Sequence, residues 1–323
     1  MSESEFQIIQ HYFKRNKYNS ASIITGIGDD AAVLDISDQS NLVVSMDTLV
    51  SGVHFPDSTK PRDIAYKSLA VNLSDLAAMG ATPAWFTLAI TLPDNNSEWL
   101  TEFSSGLFEL AELYKLDLVG GDTTQGPLSI TIQIAGYVNN NSIMYRSGAK
   151  INDDIYVSGY IGDAGAGLLL LNETSILYKK DENYLITRLN RPTPRILLGE
   201  HIRKFSQSCV DISDGLLADL NHIINSSNCG AVVNVDLLPI SRELKNASFE
   251  KDCFQLALDS GDDYELCFCV PEKYNTDIQN ISIKLNIPIT KIGKIVNDSG
   301  IKCNFENKPY IYHDYGYEHF KGK

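Results

Sequence analysis

The sequence predicts an α/β protein of two domains, and three observations carry that expectation. Short β-branched runs alternate with longer amphipathic stretches through the first half of the chain. A polar joint, Lys150-Ile151-Asn152-Asp153-Asp154, is followed at once by a new strand-like run, Ile155-Tyr156-Val157-Ser158. At 323 residues the chain is long enough for two hydrophobic cores. The expected division is 1–150 and 151–323.

In chain order, residues 5–18 read as a short helix. Residues 42–47 form a strand by β-branched content, with Asp47 at its C-terminal end, where ligand sites gather. Residues 61–80 read as a helix: Pro61 stands near the start, Gly80 at a C′ position and Pro83 beyond. Leu69, Leu73, Leu76 and Ala77 give it an apolar stripe. Ser68, Asn72 and Asp75 share another face, which serves either water or a polar site. A buried strand at 85–92, an amphipathic helix at 98–116 and a short strand from 117 follow. That strand runs into Gly120-Gly121-Asp122-Thr123-Thr124, read as a turn, and 128–138 alternates as another strand.

In the second half, Gly159, Gly162, Gly165 and Gly167 lack G-x-G-x-x-G spacing and read as tight helix–strand packing. Cys209-Val210-Asp211-Ile212-Ser213-Asp214-Gly215 joins a strand to a helix at 216–225. A strand at 267–270, a helix at 272–286 and a strand at 289–296 complete the pattern. The aromatic end, 315–320, is expected to dock.

Composition narrows the function. With 43% hydrophobic and 21% charged residues the chain reads as soluble and globular. A net charge of −14 argues against a nucleic-acid partner and an anionic membrane surface. No run approaches the ~20 apolar residues of a membrane span. The N-terminus has no signal-peptide core. The six cysteines show no zinc-type spacing and read as reduced thiols, which points to the cytoplasm.

The chemistry is carried by recurring acidic stations. Gly26-Ile27-Gly28-Asp29-Asp30-Ala31-Ala32 sets two carboxylates in a small-residue turn. Adjacent carboxylates repel and call for a cation, and a hard divalent ion suits oxygen ligands. Alone, such a turn is more often a surface turn. Asp47, Asp75, Asp122, and Asp211 with Asp214 repeat the theme beside apolar runs. Asp211 and Asp214 bracket Ser213 at a helix start, where an N-cap explains one of the three. Arg146 is either a surface ion-pair residue or a phosphate clamp. Walker A, protein-kinase and Ser–His–Asp patterns are absent. A set of aspartates able to hold several Mg²⁺ ions on a polyphosphate remains, an arrangement that serves phosphoryl transfer.

The motifs G-I-G-D-D-A-A (26–32), S-M-D-T-L-V-S-G-V-H-F (45–55), N-L-S-D-L-A-A-M-G-A-T-P (72–83), G-G-D-T-T (120–124), R-S-G-A (146–149), D-I-S-D-G-L (211–216) and G-D-D-Y-E-L (261–266) resemble the thiamine-phosphate kinase family. That family belongs to the superfamily of aminoimidazole ribonucleotide synthetase and selenophosphate synthetase. The resemblance implies ATP-dependent phosphorylation of thiamine phosphate. It also implies an N-terminal mixed sheet pairing across a homodimer and a C-terminal α/β sandwich domain. By motif match, Asp30, Ser45, Asp47, Asp75, Asp122, Asp211 and Asp214 bind Mg²⁺, and Met46 does so through its carbonyl. Gly121, Asp122, Arg146 and Ser213 contact ATP, with Asp47, Asp122 and Arg146 closest to the chemistry. His54, Asp262 and Tyr317 line the acceptor pocket. The chain departs from the family at Met46, often Thr, and at Asp262, where the family has Glu.

Two alternatives stand beside this reading. One is another ATP-dependent synthetase of the superfamily. Selenophosphate synthetase carries a reactive cysteine near its N-terminus, whereas the first cysteine here is Cys209. The other is a protein that binds divalent cations without turnover.

Overall fold

The computed structural model describes residues 5–15, 17–20, 22–27, 32–35, 40–139, 142–172, 180–247, 252–312 and 316. Asp30 and Tyr317 lie outside the described residues. The chain divides into two compact units. Unit 1 is Met1–Leu76 with Ala81–Asn141, and unit 2 is Ala77–Gly80 with Ser142–Lys323.

Unit 1 opens with α1 (Glu5–Ile8), which passes into a π-helical turn over Ile9–Phe13. The helix expected to reach residue 18 therefore stops early, with Lys14 already extended (φ −73°, ψ 131°). Further along, the chain is held by a distant acceptor. The amides of Asn19 and Ser20 donate to the Asp117 carboxylate at 2.8–2.9 Å, and Asn19 Nδ2 adds a third donor at 3.1 Å. These bonds anchor the segment after the helix to a side chain 98 residues away from Asn19.

The hairpin β1 (Ile23–Thr25) and β2 (Val33–Leu34) precedes β3 (Ser40–Val50), α2 (Pro61–Ala78), β4 (Thr82–Leu92), α3 (Ser97–Leu113), β5 (Asp117–Gln125) and β6 (Ser129–Asn139). The four long strands form a mixed sheet of order β3-β6-β4-β5, with only β4 and β5 parallel. The register aligns Phe86, Leu88 and Ile90 with Ile134, Ile132 and Ile130, so one face is continuously apolar. Leu69, Leu73 and Leu76 of α2 and Phe103, Leu107 and Leu110 of α3 are fully buried and complete that core. On the other face, Ile23, Leu34 and Tyr137 pack against Trp85, Val119 and Ala135 at one end of the sheet. Beyond them the face is open: Val44 and Met46 are 47% and 62% exposed.

Helix α2 ends as its sequence predicts. Gly80 takes a left-handed φ of +69°, its amide donates to Ala77 O, and the Ala81 amide donates to Leu76 O. This paired pattern closes a helix C-terminus, and only glycine enters that φ without strain.

Unit 2 contains β7 (Asp154–Ser158), α4 (Asp163–Asn172), α5 (Lys180–Asn190), α6 (Ile196–Ile202), β8 (Ser208–Asp211), α7 (Leu216–Ser227), β9 (Gly230–Asn234), α8 (Arg242–Asn246), α9 (Cys253–Asp259), β10 (Leu266–Val270), α10 (Asn275–Leu285), β11 (Ile289–Val296), β12 (Gly300–Phe305) and β13 (Lys308–Pro309). Its sheet has the order β13-β12-β9-β11-β7-β10-β8. Ile155, Val157, Val210, Cys267 and Cys269 on one face join Leu216, Leu220 and Ile223 of α7, Leu256 of α9 and Leu170 of α4 in a single core. On the opposite face Tyr156 and Phe268 stack at 5.7 Å, and Tyr156 Oη donates to Asn275 at the start of α10. A sheet covered on both faces explains why Leu266–Val270 is wholly buried and reads as an unbroken apolar run.

Asp117 generates a test. Asp117→Ala leaves three donors without their acceptor, a loss of about 1–3 kcal/mol in global stability. The 14–22 segment should become sensitive to limited proteolysis before the rest of the chain, and uniform sensitivity would contradict this account.

Candidate active site

In unit 1 the predicted site residues gather where β3 meets α2. Strand alternation places Ser45 and Asp47 on the same face, opposite Ile134 and Ile132 of β6. Ser45 Oγ donates to Asp75 Oδ2 at 2.5 Å, and the Asp47 amide donates to Asn72 Oδ1 at 3.2 Å. The polar stripe of α2 therefore does not face water. Ser68 and Asn72 are buried, and Asn72 Nδ2 returns to Ser68 O at 3.0 Å. Its amide is held at both ends, so it presents a fixed oxygen to β3.

Two local expectations change. Asp47 is not at a strand end, because β3 continues through Thr48–Val50 in register with β6. The β-branched Thr48 and Val50 extend the ladder past the carboxylate. Likewise 120–124 is not a turn. The parallel ladder runs unbroken from Thr87↔Gly120 to Leu92↔Gln125 after a bulge at Val119. Gly121 serves close approach: a Cβ there would lie 1.8 Å from Leu88 O. Asp47 and Gly121 fall on one row across the sheet, through Ile132 and Leu88. Three strand spacings separate them, about 14 Å. Asp122, opposite Ala89, is on the other face. Within unit 1 the structure thus unites Ser45, Asp47 and Asp75 and keeps Asp122 apart.

His54 closes the turn after β3. Its Nδ1 accepts the Val50 amide at 3.0 Å, which leaves the ring proton on Nε2. Lys67 Nζ donates to His54 O at 3.2 Å.

In unit 2 the stretch 211–215 lies against 261–265. Ile212 donates to Glu265 O and accepts from the Tyr264 amide, and Ser213 O accepts the Asp262 amide, all within 2.8–2.9 Å. Backbone meets backbone here, since a Cβ on Gly261 would stand 2.1 Å from Ser213 O. Asp262 (φ +69°) and Tyr264 (φ +51°) are both left-handed, a cost the surrounding structure must hold in place. Tyr145 and β8 exchange bonds (Tyr145 N to Gln207 O, Cys209 N to Tyr145 O), and Ser208 Oγ donates to Arg146 O. These fix the backbone of Arg146 beside β8. Gly316 also touches this region: a Cβ on it would be 2.3 Å from Asp214 O.

The electrostatics come from groups that sequence reasoning passed over. Glu265 has no solvent exposure. It takes Arg195 Nε at 2.6 Å, Arg188 Nη2 at 2.9 Å and Ser158 Oγ at 2.6 Å. Burial works to raise its pKa, but Arg195, Arg188 and Ser158 outweigh it and hold the carboxyl below the usual range. Asp263 accepts the amides of Gly162 and Ala164, yet burial pushes it up to about 8, with Asp163 adding to the rise. Asp219 accepts the amides of Ser213 and Asp214, and burial raises it to about 7. Burial, with Arg146 nearby, lowers the pKa of His222 on α7. Asp163, Arg188, Arg195 and Asp219 sit outside every motif in this sequence, and no local pattern marked them.

Glu265→Gln removes one partner of a buried ion cluster and leaves two guanidiniums facing each other. The expected loss is about 3–5 kcal/mol in urea unfolding. A loss well under 1 kcal/mol would show that Arg188 and Arg195 are neutralised elsewhere.

The donor chemistry suits magnesium. Among the described residues no group of three or more His, Cys, Asp or Glu forms a ready cage. Each station offers one or two carboxylates with a hydroxyl or carbonyl oxygen, as at Ser45–Asp75 and Asp211–Ser213–Asp214. Mg²⁺ takes one or two carboxylates and completes its shell with water and phosphate oxygens. A thiolate role is unsupported: the six cysteines are free, five are buried, and burial raises the pKa of each buried thiol.

Comparison with known proteins identifies the family. Residues 28–138 match the model "AIR synthase related protein, N-terminal domain", and 150–305 match the corresponding C-terminal domain. The thiamine-monophosphate kinase of Salmonella typhimurium is 46% identical over 323 residues, with 99% of each chain covered. That of Bacillus subtilis is 36% identical over 326 residues, covering 98% of this chain and 99% of the relative. The solved thiamine-monophosphate kinase of Stenotrophomonas maltophilia superposes with a TM-score of 0.84 at 44% identity, over 90% of this chain and 93% of that one. A structure described as AaThiL complexed with AMPPCP and TMP gives 0.79 at 32%, over 93% of each chain. With full-length identity of this order and both domain models matched, the chain belongs to the thiamine-monophosphate kinase family.

Proposed function

We propose that this protein transfers the terminal phosphoryl group of ATP to thiamine phosphate, giving thiamine diphosphate and ADP. The observation that carries the reading is family membership along nearly the whole chain, together with a solved relative described in complex with AMPPCP and TMP. A phosphate monoester has a second pKa of ~6, so the attacking oxygen is already ionised at neutral pH. No general base is needed. The difficulty is to bring two anions together, and direct in-line transfer follows once repulsion is offset.

Asp30, Asp211, Asp214, the unit 1 station of Ser45, Asp47 and Asp75 with the carbonyl of Met46, and, as a separate station on the other face of the sheet, Asp122 are the residues that would hold Mg²⁺ ions. When bound, Mg²⁺ would neutralise phosphate charge and stabilise the transferring group. Gly121, Asp122, Arg146 and Ser213 bind ATP in this reading, and the Arg146 guanidinium supplies a fork matched to phosphate oxygens. His54, Asp262 and Tyr317 contact the acceptor. The neutral imidazole of His54 offers Nε2–H as a donor, since Nδ1 is occupied by Val50. Ser45 holds the Asp75 carboxylate in place, and the hydrogen bond from the Asp47 amide to Asn72 fixes the backbone at Asp47.

The reading extends to assembly and location. The open face of the unit 1 sheet, with Val44, Met46, Gln133 and Ala89 exposed, supports pairing of two copies as a homodimer. Residues 1–150 then form an ATP- and Mg²⁺-binding and dimerisation domain, and 151–323 supply the remaining nucleotide and substrate residues. No described helix is long and apolar enough to cross a membrane, and reduced thiols support a cytoplasmic setting.

The decisive assay couples ADP release to an indicator with thiamine phosphate as acceptor, and dependence of turnover on that acceptor is the expected result. Asp47→Asn and Asp122→Asn should each lower kcat by at least ~10², the scale of losing one strong electrostatic contact. Both variants should remain folded, and normal turnover in either would remove it from the metal set.

Tyr317→Ala and Asp262→Ala should each cost about 1–3 kcal/mol in kcat/KM for thiamine phosphate, the range for an abandoned polar partner. ATP binding should change little, and Asp262→Glu should be nearly neutral. Equal losses of ATP and acceptor affinity would instead assign these residues to packing.

A further inference from the structure

Lys67 lies on α2 and is 2% exposed, the only buried lysine among the described residues. An ammonium withdrawn from water is costly unless acceptors are placed to receive it. Here Nζ donates to His54 O at 3.2 Å.

His54 is held from two elements. Val50 of β3 grips it twice: the Val50 amide donates to His54 Nδ1 at 3.0 Å, and the His54 amide donates to Val50 O at 3.0 Å. Gly52, left-handed at φ +75°, lets the chain fold back between them, and its amide donates to Phe55 O at 2.9 Å. These bonds reference the imidazole to β3. The carbonyl of the same residue is referenced to α2 by Lys67.

The Lys67 bond is one of three that run in order along α2. Lys67 meets His54 O, Asn72 meets the Asp47 amide, and Asp75 meets Ser45 Oγ. As α2 advances through 67, 72 and 75, its partners step back through 54, 47 and 45. The helix is thus latched antiparallel to β3 and its turn over about 12 Å of helical rise. Two latches hold the Ser45–Asp47–Asp75 station, and the third holds an imidazole. In-line transfer needs the acceptor at a set distance from that station, and a misplacement of ~1 Å costs up to ~10² in rate.

We infer that Lys67 is a positioning residue for the acceptor: it locks the His54 imidazole at a set distance from the Ser45–Asp47–Asp75 station. The role rests on the reading above in which His54 contacts thiamine phosphate, and it requires no contact between Lys67 and substrate.

The test is steady-state kinetics of the full-length protein, with thiamine phosphate, ATP and Mg²⁺ varied in turn. Lys67→Met nearly keeps the length of the side chain and removes the donor. It should lower kcat/KM for thiamine phosphate by about tenfold or more. KM for ATP and the Mg²⁺ concentration for half-maximal turnover should stay near their wild-type values. His54→Ala removes the imidazole but keeps the carbonyl that Lys67 binds. In that background Lys67→Met should change Tm as it does in wild type, yet lower kcat/KM no further, because the ring through which it acts is gone. A wild-type kcat/KM in Lys67→Met beside a lowered one in His54→Ala overturns the proposal alone. A wild-type kcat/KM in His54→Ala overturns the acceptor role of His54 and the proposal with it. Losses that multiply in the double variant, or that fall equally on ATP and thiamine phosphate, also overturn it, because Lys67 would then act directly or through the fold at large. If Lys67→Met does not fold, Lys67→Gln takes its place, since its amide ends one bond short of the His54 carbonyl, and the same outcomes apply.

Discussion

Repulsion between carboxylates is the constraint on which the rest of the structure depends. The site needs aspartates in close company, and a fold cannot hold them there by apolar packing alone. Four carboxylates near the site are tied by donors of their own unit. Asp75 has Ser45, Asp219 has two amides, Asp263 has two more, and Glu265 has two arginines and a serine. The carboxylates that face a ligand therefore rest on a scaffold of other carboxylates already satisfied.

The two units meet this constraint differently. In unit 1 the site is built on regular structure, an eleven-residue edge strand facing a helix that is buried almost throughout. Polar residues on α2 are tolerated because Asn72 is bonded at both ends and Ser68 returns its hydroxyl to Ile64 O. In unit 2 the site is built on two irregular stretches joined backbone to backbone. Their left-handed residues, Asp262 and Tyr264, need outside support. Glu265 and Asp263 provide it by anchoring the stretch to β7, α5 and the start of α4. Burial of these charges brings no stability by itself. It fixes one conformation of a segment that would otherwise sample several.

A carboxylate inside a protein also decides what a neighbouring backbone can bind. The loop before α7 follows a buried strand, carries glycine and serine and opens a helix, all features shared with anion sites. There the Asp219 side chain takes the amides of Ser213 and Asp214. Asp117 likewise takes the amides of Asn19 and Ser20.

The sequence by itself determined the α/β alternation, the extent of α2 with its glycine stop, most central strands, and the acidic residues that group with Mg²⁺ and ATP chemistry. These are local matters of periodicity, capping and motif, and each is decided within a few residues of chain. It also carried the family, because seven short motifs in order are far more specific than any one. Only the tertiary structure decided that Ser68 and Asn72 face β3, that Asp47 stands inside a strand, and that Gly121 belongs to a ladder and not to a turn. Only it identified Asp117, Asp163, Arg188, Arg195 and Asp219 as supports. Their partners lie up to about a hundred residues away, and a hydrogen bond or ion pair across that separation leaves no periodic trace in sequence.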